Sequence, residues 1–115
     1  MRFRASVAAA LGALALVITL PTSANAVGGE FVYSYSGPHG HVREARLKHP
    51  HGRECINLRE VTGRHASSPA HSPRNRTDAK ATVFTDMHCK GAHFSLRPHG
   101  GHASDKLKFR SVIFR

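Results

Sequence analysis

The chain has 115 residues, enough for one small domain beside any targeting segment. Its 17 Lys and Arg against 7 Asp and Glu give a formal net charge of +10, which favours polyanionic partners. No stacking aromatics are interleaved with the basic residues, so nucleic acid is disfavoured as that partner.

Residues 1–26 read as a signal peptide of the bacterial type. Arg2 and Arg4 precede an apolar run from Ala5 to Leu20. Pro21 then ends any helix by removing a backbone donor. Ala24 and Ala26 supply the small residues of an Ala-x-Ala cleavage site, with processing expected after Ala26. The apolar run is shorter than the ~20 residues of a membrane span, so no transmembrane segment is expected in the mature chain. Cleavage leaves 89 residues, a size that buries only about 60–65% of its unfolded surface. Losing Arg2 and Arg4 leaves 15 basic residues against the same 7 acids, a net of +8. All ten histidines remain.

In chain order, Phe31, Tyr33 and Tyr35 alternate with Val32 and Ser34, the period of a half-buried strand. Val42 to Lys48 has room for two helical turns, but a helix that short is marginal alone. Cys55-Ile56-Asn57-Leu58 is a short strand candidate. Val61 to Lys80 holds Ser67-Ser68-Pro69, Ser72-Pro73 and Arg74-Asn75-Arg76 and reads as a polar loop. Its Asn75-Arg76-Thr77 fits a glycosylation sequon and is taken as chance beside a bacterial signal. Ala81 to Thr85, Phe94 with Leu96, and Leu107 to Phe114 read as further strands. The domain therefore spans residues 27–115, in halves of about 30–60 and 81–115 joined by the loop 61–80. Cys55 and Cys89 are the only cysteines and flank that loop. Export permits one intramolecular disulfide between them; two free thiols or a metal site shared with histidines are the alternatives.

Phe84-Thr85-Asp86-Met87-His88-Cys89-Lys90-Gly91 sets an aromatic, four residues, a cysteine, one residue and a glycine in line. This resembles the Greek-key signature of the β/γ-crystallin family. Phe94-Ser95-Leu96 falls where that motif's second strand would follow. Ser104-Asp105 sits where the family's folding serine lies, and Arg110-Ser111-Val112 resembles the Ser-Val start of its last strand. The resemblance covers Ala81 to Arg115. Tyr33, Pro38 and Gly40 repeat the spacing in the first half. It implies an all-β Greek-key sandwich with one disulfide, in which Phe84, Gly91, Ser104 and Ser111 are structural. The family often binds calcium through an acidic pair before its final serine. Lys106 and Leu107 stand at those positions, and neither offers the oxygen a hard cation needs, so no calcium site is expected. Small secreted metalloproteinase inhibitors and toxin-like proteins also belong to the family, which implies a monomer that binds an extracellular protein.

The histidines suggest a second chemistry. Pro38-His39-Gly40, Pro50-His51-Gly52 and Pro98-His99-Gly100 repeat one turn-forming tripeptide. His39 with His41 and His49 with His51 are two apart, and His99 with His102 three apart. Residues two apart on an extended strand face one side, so such pairs suit zinc, copper or nickel. Catalytic signatures are missing: there is no nucleophile elbow, spaced carboxylate pair or phosphate-cradling loop. The expectation is a secreted binding protein of unknown target, inhibitor-like, rather than an enzyme. Adhesion to an anionic envelope polymer and histidine-based metal binding are the alternatives.

The signal reading predicts an exported chain that begins at Val27. The intact mass of protein from culture supernatant checks this, and a secreted chain retaining residues 1–26 would contradict it.

Overall fold

The structure, a computed structural model, describes residues 26–62 and 68–115. The signal-peptide reading of residues 1–26 thus lies, but for Ala26, outside the described residues. Eight strands follow in order: β1 (Gly29–Ser36), β2 (Val42–Lys48), β3 (Ile56–Asn57), β4 (His71–Thr77), β5 (Ala81–Phe84), β6 (His93–Leu96), β7 (Gly101–His102) and β8 (Ser111–Phe114). They form two four-stranded antiparallel sheets, ordered β2-β1-β4-β7 and β3-β8-β5-β6. The third strand of each half has crossed into the other half's sheet. Among the described residues the only helical pieces are short 3₁₀ turns, and no helix is long and apolar enough to cross a membrane.

The alternation in β1 does what its period implies. Phe31 and Tyr33 are buried, and Tyr35 packs against the core from the same face. Phe31 stands edge-on to Phe114 of the second sheet, with ring centroids 5.4 Å apart, and to Phe109 at 6.2 Å. Tilted and edge-on rings satisfy their quadrupoles while burying large areas. Leu58, Val61, Ala70, Ala81, Val83, Leu96 and Val112 complete the interior.

One open reading closes and two expectations need correction. Val42–Lys48, too short to stand as a helix alone, is a strand that pairs with β1 along its whole length. The polar stretch 61–80 contains β4, so the first half runs past residue 60. Its inward residues Pro73, Asn75 and Thr77 are buried although two are polar. They are tolerated because their polar atoms are paired. Asn75 Nδ2 lies within hydrogen-bonding reach of the carbonyls of Ala79 at 2.8 Å, Arg97 at 3.0 Å and Leu96 at 3.2 Å. Asn75 Oδ1 accepts from the Thr77 hydroxyl at 2.6 Å and the Thr77 N–H at 3.2 Å. Pro73 sits where the β1–β4 ladder is irregular, so its missing N–H breaks no regular pairing. Lastly, the strand ending the chain is shorter than Leu107 to Phe114. Only Ser111–Phe114 is ladder, while Phe109 bridges Ala70 through two backbone hydrogen bonds of 2.9 and 3.0 Å.

The sequon has a physical answer in this arrangement. Asn75 is fully buried and its amide nitrogen is committed to carbonyls, so no glycosyl group can reach it.

Tyr33 is the one buried phenol with a polar tether, donating to Glu60 Oε1 at 2.5 Å. Burial first, and then this hydrogen bond to the carboxylate, hold its hydroxyl protonated well above the ordinary phenol value of 10.0. The unfolded chain releases that proton near pH 10 while the folded chain keeps it. The contribution is therefore complete below about pH 10 and declines as pH rises above it. Tyr33→Phe is expected to cost about 1 kcal/mol at neutral pH and to flatten the alkaline fall of stability. Denaturant unfolding at neutral pH and above pH 10 checks both; an unchanged alkaline slope would contradict the assignment.

Candidate functional site

The two β-hairpins have the same tip and different anchorage. In the first, Gly37 N–H donates to His41 C=O at 2.7 Å; in the second, Asp86 N–H donates to Lys90 C=O at 3.0 Å. The match equates His39 with His88, both in the left-handed region at φ +66° and +62°. Four residues earlier stand Tyr35 and Phe84. The structural counterpart of Phe84 is thus Tyr35, whereas Tyr33 is the core residue two positions before it.

The second tip is clamped from three sides. Ser111 Oγ donates to Asp86 C=O at 2.6 Å and accepts from Cys89 N–H at 2.9 Å. Asn57 Oδ1 accepts from His88 N–H at 2.7 Å. Cys89 is joined to Cys55 just before β3. Gly91 is required at φ +89°, because a β-carbon there would collide with Thr85 Oγ1. Phe84 ends β5 with its ring beside that of His93 at 5.9 Å. Ser104 takes a smaller part: its exposed hydroxyl accepts from Lys106 N–H at 3.2 Å within a local turn. The serine that ties the hairpin to the sheet is therefore Ser111. Asn57 carries no sequence signature, since its role depends on a contact 31 residues away.

The first tip has no comparable clamp among the described residues. His39, Gly40 and His41 are exposed, and Val42 beside them is 65% exposed.

The structure keeps the histidine pairs apart. His39 and His41 lie at one end of β1, and His49 and His51 at the other, about 25 Å away at strand rise. His99 precedes β7 and His102 ends it, across the full width of the sheet from β2. Each pair also contains a left-handed member, at His39, His49 or His99, so the extended geometry that would face both rings one way is broken. Among the described residues no three His, Cys, Asp or Glu converge on a point suited to a metal. Two of the three Pro-His-Gly turns, at residues 38–40 and 98–100, place both His and Gly at positive φ; the one at 50–52 does not.

The outer face of the first sheet is a charged surface. Register puts Lys48, Glu30 and Arg76 in one cross-strand row, and Arg46, Val32, Arg74 and His102 in the next. Val32 lies between Arg46 and Arg74 in this row and is only 4% exposed. Arg46 takes both carboxylates of the face, Glu30 at 2.7 Å and Glu44 at 3.1 Å. Arg74 and Arg76 have no carboxylate partner among the described residues. With Gly100 and His102 they line a cleft of about 380 Å³. A second cleft of about 290 Å³ shares His102 and adds Phe94, Ser95, Leu96, Arg97 and Gly101. Gly101 is necessary there: a β-carbon would lie 2.6 Å from the backbone of Arg97.

Sequence reasoning missed this face because its arginines fall in the stretch read as a loop. The alternation of Arg74 and Arg76 with Asn75 was the available signal. No protein-family model, curated protein or solved structure matches the chain.

Cys89 carries a side chain at φ +54°, where Gly40 stands in the first hairpin. Removing the disulfide as Cys55→Ser with Cys89→Ser should cost about 3–4 kcal/mol, from the 34-residue separation it closes. Cys55→Ser with Cys89→Gly should recover about 1 kcal/mol by relieving the left-handed strain. Urea unfolding of both variants checks the order, which would reverse if strain at Cys89 were negligible.

Proposed function

We propose that this protein is an exported, non-enzymatic binding module of β/γ-crystallin-like Greek-key build that adheres to anionic extracellular polymers. The fold part of the reading is supported by the exchange of third strands between the two sheets. The Ser111 tie to a hairpin carrying the aromatic, cysteine and glycine spacing supports it further. The function rests on one observation: the outer face of β2-β1-β4-β7 carries four Lys or Arg against two carboxylates, and Arg46 engages both of those. Arg74, Arg76 and Lys48 are left to attract a polyanion. Export supplies the setting, since the anions met outside a cell are wall polymers, anionic lipid and acidic protein.

A second reading takes the exposed first hairpin tip, residues 37–42, as a loop presented to a partner protein such as a peptidase. Its support is the exposure of His39 to Val42 with no clamp on the tip among the described residues. Binding of that kind resists salt and saturates at a fixed ratio.

Polymer adhesion has the opposite signature. Retention on an anionic polymer should fade between about 0.1 M and 1 M salt, as the screening length falls from about 10 Å to about 3 Å. Arg74→Glu with Arg76→Glu should abolish it. Lys106→Glu with Lys108→Glu makes the same charge change in the 104–110 turn and should retain most of it. Equal loss from both pairs would leave bulk charge, not this face, as the cause.

A further inference from the structure

We propose that the clefts around His102 form a phosphoryl-selective subsite, in which Arg74, Arg76 and His102 hold the terminal phosphoryl group of a polymer and Arg97 meets the next one in. The inference rests on the adhesion reading and names its ligand chemistry. Arg74 and Arg76 are two apart on one face of β4, which separates their backbones by about 7 Å. His102 is the direct cross-strand partner of Arg74, about 5 Å away. Three donor-bearing side chains thus rise around one concavity, and no carboxylate lines it.

The numbers of donors and acceptors distinguish phosphate from carboxylate. A guanidinium binds either anion through a planar fork. One carboxylate has two oxygens and is filled by a single arginine fork. A terminal phosphoryl group has three oxygens and a larger charge, enough for both arginines and the histidine.

His102 is oriented for this role. Its Nδ1 lies 3.2 Å from Gly100 C=O, and a carbonyl can only accept, so Nδ1 carries the proton. Nε2 is then the ring nitrogen left for a ligand. It accepts from a P–OH when the ring is neutral and donates to a phosphoryl oxygen when the ring is protonated. The second cleft continues past His102 to Arg97, held close by the bare backbone of Gly101. This gives a track of Arg76, Arg74, His102 and Arg97 suited to a chain-terminal phosphoryl group and its neighbour.

The test compares linear polyphosphate with polyglutamate of equal charge, binding the full exported chain at one ionic strength. Arginine side-chain NMR resonances locate the contact, and inorganic phosphate serves as the monomeric probe. Polyphosphate is expected to bind about tenfold tighter, with Arg74 and Arg76 shifting for both phosphate probes. Arg74→Lys with Arg76→Lys keeps the charge and loses the forks. It should erase that preference while salt-sensitive adhesion to both polymers persists. Equal affinity for the two polymers in the unaltered protein, or a preference that survives the lysine pair, overturns the subsite and leaves adhesion standing. Binding to neither polymer overturns both.

Discussion

The buried amide of Asn75 is the contact on which the rest of the architecture turns. It joins β4, the turn that follows it, and the end of β6 through the carbonyls of Ala79, Leu96 and Arg97. Removing it would take a donor from each of them, at about 0.5–1.5 kcal/mol per bond. Its inward orientation also sets the parity of β4. With Asn75 and Thr77 inside, Arg74 and Arg76 must point out, since successive strand residues alternate faces. A polar core contact and the basic outer face are thus two consequences of one register.

The two hairpins show how a similar tip can serve different ends. In the second, Cys89 occupies a left-handed position that glycine fills in the first, and the disulfide, Asn57 and Ser111 hold it there. In the first, Gly40 lies open to solvent and a β-carbon on it would meet nothing within 4 Å. The clamps join the second tip to β3 and β8, one strand from each half. Because β3 and β7 lie in the opposite half's sheet, neither half can complete its sheet alone.

Much of this was legible from residue order. The alternation of Phe31, Tyr33 and Tyr35 marked a half-buried strand, and Ala81 to Thr85 marked another. What sequence reading lost was β4, because Pro73, Asn75 and Thr77 look like loop residues until their hydrogen-bond partners are known. It also lost β2, whose sequence alone suits either a short helix or an edge strand. The histidine pairs take a backbone that spacing does not reveal: one member of each adopts the left-handed conformation.

The sequence by itself determined an all-β chain, the presence of one possible disulfide and a strong positive charge, because these follow from composition, short-range period and cysteine count. Tertiary structure alone decided where that charge lies and which serine ties the hairpin. Ser111 reaches Asp86 and Cys89 across more than 20 residues, and Arg74 meets His102 across 28. Contacts at that separation depend on sheet order and register, which no local pattern specifies.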